Sequence, residues 1–455
     1  MVTTAATTLD QLRSHQLIGT QRLDLAAGLT TFPEEILDLA DSLEILDLSN
    51  NALTTLPDSF AQLHNLRIAF FNNNAFETLP EVLGHCPRLS MIGFKANQIA
   101  TVPGASLPPT TRWLILTDNQ ITTLPDAIGA LPALQKLMLA GNQLRTLPDS
   151  LAACQQLELI RIAANQLDDL PPWLLTLPRL SWLAYAGNPF CTALGKADSV
   201  PLPQIPWADL TLAEVLGQGA SGIISRGVWR QNQPIPASKT SSETGGETAV
   251  AIKLFKGAIT SDGLPADEMR ACIAAGAHPN LIGPLGQVVD HPEQKNGLVL
   301  PLIPPTYRVL GGPPSLDSCT RDTYPPDTVF DLELVLRIAT GVAAAAARLH
   351  QRGILHGDLY AHNTLVNGAG DTCLSDFGAA SFYDPADTLA PGLERLEIRA
   401  WGCLLEDLLD RCPAPPEALA QLRQLQQACM QPDSLARPSF AEVLARLGAI
   451  GAPRG

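Results

Sequence analysis

The chain has 455 residues, of which 46% are hydrophobic, and a formal net charge of −15 at pH 7. That length accommodates two or three domains, each able to bury its own core, and the acidic balance argues against nucleic acid or an anionic membrane surface as a partner. Nine cysteines lie scattered between positions 86 and 429 with no CxxC pair, the pattern of small buried hydrophobes in a reducing compartment rather than of a zinc site or a disulfide framework.

The opening MVTTAATTLDQLRSHQ has neither a basic n-region nor an apolar core, and no apolar run nears the roughly 18 residues of a membrane span. Residues 1–15 therefore read as a short extension and the chain as cytoplasmic. From 16 to 190 the pattern LxxLxLxxNxLxxLP recurs, as in LDLSNNALTTLP, LTDNQITTLP and MLAGNQLRTLP. Its asparagines at 51, 74, 97, 119, 142, 165 and 188 are 23 residues apart with a single step of 22, and RLDLAAGLTTFP is an earlier, degenerate copy.

This stretch resembles the leucine-rich repeat family, which implies a solenoid of about eight repeats of 23 residues. One such unit cannot bury its leucine face alone, and stacking neighbours makes a continuous core. Each asparagine is expected to bond the backbone of the next coil, a structural duty. Alternate residues of each short strand face the concave side. One such column holds Ile45, Ile68, Met91, Trp113, Leu159 and Trp182, and the next holds Phe70, Ile115 and Met138. Apolar surface of this kind marks a binding site, and tryptophan is a favoured anchor, so a protein ligand is expected around Trp113, Met138 and Trp182, the alternative being that these side chains pack on one another or against the second domain.

After a Pro-rich linker at 191–206 the periodicity stops. WADLTLAEVLGQGASGIISRGVW places Gly217, Gly219 and Gly222 between two alternating apolar runs, predicting strand, glycine-rich hairpin, strand. A polar stretch, PIPASKTSSETGGET, reads as a flexible insertion, and VAIKLF then sets Lys253 on a β-branched strand. A predicted helix with Asp267 and Glu268 follows, then HPNLIGPL, the run LVLPLI, and a long helix at DLELVLRIATGVAAAAARLHQRG. The loop HGDLYAHN at 356–363 and SDFG at 375–378 come next.

In this order the elements resemble the protein kinase signature set over residues 207–450, with WADLTLAEVLGQGASG and ARPSFAEVLARL closest to the tyrosine-kinase-like branch. The spelling HGDxxxxN is also that of small-molecule kinases, but those are not expected to combine it with a glycine-rich hairpin, VAIK, DFG and a terminal RPSF helix. The expected fold is thus multidomain, α/β plus α+β: a leucine-rich repeat solenoid followed by a bilobal protein-kinase-like fold. The resemblance implies an ATP- and Mg²⁺-dependent enzyme acting on protein Ser/Thr hydroxyls. Two rivals stand beside it: a nucleotide-binding scaffold with little transfer activity, and a small-molecule kinase.

Carried over residue by residue, the resemblance implies that Lys253 meets the nucleotide phosphates, held by Glu268 or else by Asp267. It implies Mg²⁺ on Asp376 with Asn363 at the second metal position, and Asp358 on the substrate hydroxyl. Gly217, Gly219, Gly222, Ile224, Ala251, Leu300, Pro301 and Ile303 would line the nucleotide. Pro301, directly after Leu300 as gatekeeper, stands where only a carbonyl is needed, so its missing N–H costs nothing, and Ile303 would supply the backbone donor. His356 is expected to pack beneath Phe377. The chain departs from the pattern at Tyr360, where Ser/Thr kinases carry a lysine, and at Gly357, where an arginine reads a phosphorylated activation loop. It also has no APE motif after DFG. EIRAWG at 397–402, with Glu397 in place of an aspartate, is read as the next helix start, which leaves Arg437 to find a partner and a loop from Ala379 to Leu396.

Overall fold

In each repeat the LxxLxL run forms a strand of three residues whose middle side chain faces inward. The strands are β1 (Arg22–Asp24), β2 (Ile45–Asp47), β3 (Ile68–Phe70), β4 (Met91–Gly93), β5 (Trp113–Ile115), β6 (Lys136–Met138), β7 (Leu159–Arg161) and β8 (Trp182–Ala184). They pair in parallel into one eight-stranded sheet. This computed structural model describes residues 5–191, 202–219, 221–230, 246–257 and 259–451. Most of the expected linker and most of the polar insertion lie outside the described residues. The chain divides into two units, residues 1–192 with 432–434 and residues 193–431 with 435–455.

The inward residues Leu46, Ala69, Ile92, Leu114, Leu137, Ile160 and Leu183 are fully buried. On the other side of the coil a single 3₁₀ turn starts after the proline that ends each repeat motif. Pro33, Pro57, Pro80, Pro103, Pro125, Pro148 and Pro171 are its N-caps, with φ between −63° and −73°, the range to which the proline ring confines the backbone. The asparagines form a ladder, but toward the preceding coil rather than the next. Asn142 Nδ2 donates to the Leu116 carbonyl at 2.9 Å, and its Oδ1 accepts the Ile121 N–H at 3.0 Å. The other six repeat this arrangement on partners twenty or more residues upstream. The residue before each ladder asparagine is left-handed, whether glycine (Gly141, Gly187) or not (Asn50, Asn73, Ala96, Asp118, Ala164). In the early coils phenylalanines fill the core, with the Phe94 ring 4.9 Å from Phe71 and 5.0 Å from Phe76.

The concave columns are not the open apolar surface that the alternation suggested. Ile68, Met91, Met138, Leu159 and Trp182 are buried, Trp182 to 1% exposure, and Trp113 is half-buried. Strands this close set neighbouring side chains against one another. The Trp113 indole N–H lies 3.4 Å from Met138 Sδ, and Lys136 Nζ, interrupting the first column, sits 4.1 Å from the Trp113 ring centroid.

Within the extension, α1 (Ala5–Arg13) is helical and buries Leu12. The second unit begins with β9 (Gln204–Pro206), inside the expected linker, followed by β10 (Leu210–Gln218), β11 (Gly222–Arg230) and β12 (Glu247–Phe255). After α2 (Pro265–Ala275), β13 (Gly286–Val289) and β14 (Gly297–Pro301) complete a sheet ordered β10-β11-β12-β14-β13-β9. A short strand, β15 (Arg308–Val309), precedes the long helix α3 (Leu332–His350), whose N-cap Asp331 accepts the Leu334 N–H at 2.8 Å. The alanine run of α3 is a packing device: Ala343, Ala345 and Ala346 are buried, and the Trp401 indole donates to the Ala339 carbonyl at 3.0 Å. The rest comprises β16 (Ile354–Leu355), β17 (Thr364–Val366), β18 (Thr372–Leu374), β19 (Ser381–Phe382), α4 (Ala390–Asp410), α5 (Pro416–Cys429) and α6 (Phe440–Gly451). Among the described residues no helix is long and apolar enough to cross a membrane.

Candidate active site

Gly217 near the end of β10 and Gly219 in the turn before β11 are exposed, and the Lys256 ammonium donates to the Gly219 carbonyl at 3.0 Å. At Gly222 any Cβ would lie 2.6 Å from the Leu254 carbonyl oxygen, so only glycine lets the hairpin pass that close. Antiparallel register sets Ile224 opposite Lys253, Ala251 opposite Leu300 and Val250 opposite Pro301. Leu300 packs against the buried cluster that holds Cys272 and Phe377, Pro301 ends β14, and half-buried Ile303 lies just beyond it.

Lys253 Nζ reaches the carboxylate of Glu268 on α2, while Asp267 pairs with Arg270 instead. The choice between the two carboxylates thus falls on Glu268. Burial pushes the Glu268 carboxyl up from its ordinary range, Lys253 pulls it down and Asp376 adds to the rise; a hydrogen bond from Ser221 of the glycine-rich turn also pulls it down. A buried carboxylate with one cation beside it is a charge pair held out of water, and losing either partner strands the other.

The loop after β16 is built on backbone constraints. Gly357 has φ +74°, a left-handed conformation that costs an L-residue roughly 1–2 kcal/mol, and its N–H donates to Glu397 at 2.6 Å. The missing arginine is therefore a matter of conformation as well as of charge. The second oxygen of Glu397 accepts from His350 Nε2 at 2.8 Å, so this helix residue anchors the loop from below. Asn363 Nδ2 donates to Asp358 Oδ2 at 2.7 Å and to the Asp358 carbonyl at 3.0 Å. The Asn363 carbonyl accepts the Ser375 N–H at 2.8 Å, which ties this loop to the DFG turn. There Asp376 has φ +57° and takes the Gly378 N–H on Oδ1 at 3.0 Å. His356 packs tilted against the Phe377 ring, 5.5 Å away, and bonds the Ser375 carbonyl at 3.1 Å. Tyr360 is buried against His362, so it does not stand in for a lysine.

Two residues that the motif reading passed over support this loop, His362 from within it and Asp322 from outside. Asp322, between β15 and α3, accepts the Ala361 N–H on Oδ2 and the His362 Nδ1–H on Oδ1, both at 2.6 Å. His362 Nε2 then stands 4.0 Å from Asp358 Oδ2. Burial lowers the His362 pKa, but the bond to Asp322 and the charges of Asp358, Asp322 and Asp376 outweigh it and leave it above the ordinary value. A second histidine inside HGDLYAHN was a visible signal; Asp322 lies in a segment with no motif.

After DFG the helix α4 begins at Ala390, seven residues before Glu397, so the loop is shorter than the expected 379–396. Arg437 donates to the backbone carbonyls of Gln431 at 2.8 Å and Arg395 at 3.0 Å. Among the described residues no group of three His, Cys, Asp or Glu side chains is arranged to hold a metal unaided.

Residues 210–401 match the family model of protein tyrosine and serine/threonine kinases, and residues 41–99 and 109–167 match that of the leucine rich repeat. The chain carries a leucine-rich repeat region and a protein kinase domain. It is 27% identical to Ephrin type-B receptor 4 of Homo sapiens over 282 residues, which is 52% of this chain and 26% of the receptor. A probable serine/threonine-protein kinase of Dictyostelium discoideum is 22% identical over 289 residues, 54% of this chain and 28% of that protein. A tyrosine-protein kinase receptor of Danio rerio is 22% identical over 286 residues, 52% of this chain and 31% of that protein. The alignments thus span only about a quarter to a third of each relative's length. A solved leucine-rich repeat protein of Leptospira interrogans is 29% identical, covering 38% of this chain and 50% of that one at a TM-score of 0.33.

Proposed function

We propose that the chain is a protein kinase that uses ATP and Mg²⁺ to phosphorylate Ser and Thr hydroxyls of proteins, its own included, with the repeat region as the part that binds a regulatory protein partner. The observation that carries this reading is the joint survival of two arrangements, Lys253 on Glu268 and Asn363 on Asp358, with Asp376 on the turn tied to Asn363. Phosphoryl transfer demands positioning and charge neutralisation more than covalent chemistry, and these side chains are of the types that provide both.

The donor set fits Mg²⁺. Asp376 offers a carboxylate, and Asn363, whose amide N–H groups are engaged by Asp358, retains its carbonyl oxygen. Two hard oxygen donors without a full protein cage suit an ion that completes its shell from phosphates and water. When bound, the ion neutralises phosphate charge. Lys253 then acts as a fixed point charge toward the phosphates because Glu268 holds it. Asp358, oriented by Asn363, accepts the hydrogen bond of the incoming hydroxyl and aims its oxygen.

The preference for Ser and Thr is supported by the likeness of WADLTLAEVLGQGASG and ARPSFAEVLARL to the tyrosine-kinase-like branch. One observation favours a second reading, a nucleotide-binding scaffold: with α4 starting at Ala390, little chain remains to form a peptide-docking platform. Incubating the purified protein with labelled ATP and Mg²⁺ and mapping phosphosites by mass spectrometry separates the two. Phosphate on Ser or Thr, absent from an Asp358→Asn control, supports the kinase. Label confined to Tyr would refute the residue class, and ATP binding without any transfer would favour the scaffold.

A further inference from the structure

The segment between β15 and α3 is rooted at one end and reaches the catalytic loop at the other. Arg321 bonds Glu406 at 2.7 Å, Asp407 at 2.6 Å and the Cys403 carbonyl at 3.0 Å, all on α4. Three residues on, the Tyr324 ring lies 4.0 Å beneath the Arg411 guanidinium. Between these anchors sits Asp322, its side chain 4% exposed. A carboxylate taken that far out of water must be well bonded to be tolerated, and both of its oxygens face the catalytic loop, one on the Ala361 N–H and one on His362.

The bond to Nδ1 sets the orientation of the imidazole. With that nitrogen donating to Asp322 the ring can turn only by breaking a charge-assisted bond, so Nε2 is held on the side of Asp358, 4.0 Å from Oδ2. The Tyr360 ring, 4.8 Å away, packs the imidazole from one side. Asp358 is thereby approached from two directions: Asn363 bonds Oδ2 from within the loop, and His362 stands beside the same oxygen under the control of a residue from outside it.

Resting on the kinase reading above, we propose that Asp322 and His362 are a positioning pair for Asp358. The chain Arg321, Asp322, His362 links α4 to the carboxylate that aims the substrate hydroxyl, and the pair holds that carboxylate in its working rotamer. Neither residue needs to touch the nucleotide. Their loss should appear in turnover and leave the affinity for ATP alone, because Lys253, Glu268 and Asp376 are not part of the chain.

The test is steady-state kinetics on the full chain with ATP and a protein or peptide substrate identified by the phosphosite mapping. In His362→Asn the amide nitrogen stands near the place of Nδ1 and keeps Asp322 bonded, while the end of the ring facing Asp358 is gone. Asp322→Ala removes the holder, and Asp322→Asn keeps an oxygen for the Ala361 N–H. We expect kcat to fall about tenfold to a hundredfold in His362→Asn and Asp322→Ala, with KM for ATP within about twofold of the wild type. Asp322→Asn should recover part of the loss, and the double variant Asp322→Ala with His362→Asn should be no worse than the poorer single one. Retention of the ATP-induced rise in melting temperature shows that each variant is folded. Wild-type kcat in both single variants would overturn the pair, as would losses that multiply or that reside in KM for ATP. A wild-type protein that binds ATP without transfer would instead overturn the kinase reading, and the pair with it.

Discussion

The two units use the same residue types in opposite ways. In the repeat unit a polar side chain such as Asn142 bonds its own coil and the one before it, and every repeat presents the same local problem to the same residue. In the kinase unit Asn363 makes a similar pair of amide bonds, yet it orients a carboxylate and its carbonyl receives the turn that bears Asp376. A repeated polar residue is therefore read as structure, and a single one becomes interpretable only through the distant residues it meets.

The largest expected effects lie in the kinase unit and sharpen this contrast. Asp358→Asn should cost about 10³-fold in transfer while leaving ATP binding intact, because the orienting group is lost and the phosphate contacts are kept. Asp376→Asn should instead abolish Mg²⁺-dependent ATP binding, read by titration calorimetry with and without the metal. Equal ATP affinity in wild type and Asp376→Asn would remove Asp376 from the site.

Next in size is Asn142→Ala in the ladder. It strips the donors from two buried carbonyls and the acceptor from one N–H, so a loss of about 3 kcal/mol is expected, seen as faster hydrogen exchange in the neighbouring coils. Turnover should stay at the wild-type level, and a parallel loss of activity would break the separation drawn between the two kinds of asparagine.

A smaller change of opposite sign is expected at Ala96, whose φ of +54° is one that glycine adopts freely. Ala96→Gly should stabilise the repeats by about 0.5–1 kcal/mol, the relief of strain exceeding the extra entropy of the unfolded chain. A loss of stability in denaturant titration would show that the Ala96 methyl group packs more than it strains.

The smallest effect is expected at the activation segment. Of its hydroxyls, Ser381 and Tyr383 are buried, Tyr383 with its hydroxyl on Glu394 at 2.9 Å, and Thr388 is exposed. With Gly357 in the place of an arginine, a phosphate there lacks its usual reader. Thr388→Ala should leave turnover within about twofold, and a large drop in that assay would reveal a phosphate-driven switch that the loop has kept.

Much was legible before any coordinates. The repeat length, the leucine core and the asparagine ladder follow from periodicity, because in a solenoid each residue meets neighbours one coil away and the pattern itself encodes contact. The order of glycine-rich turn, VAIK, HGDLYAHN and DFG likewise carried the kinase fold, since each motif is a short segment with its own backbone demands. What the tertiary structure alone decided are the pairings between segments and the exposure of faces. Lys253 takes Glu268 rather than Asp267 because the rotation of α2 is set by packing. The burial of Met138 and Trp182 was not legible, because alternation tells which way a side chain points and not what covers it. Asp322 joins the HGDLYAHN loop because Arg321 fixes its segment to α4, a contact between residues more than eighty positions apart that leaves no local mark in the chain.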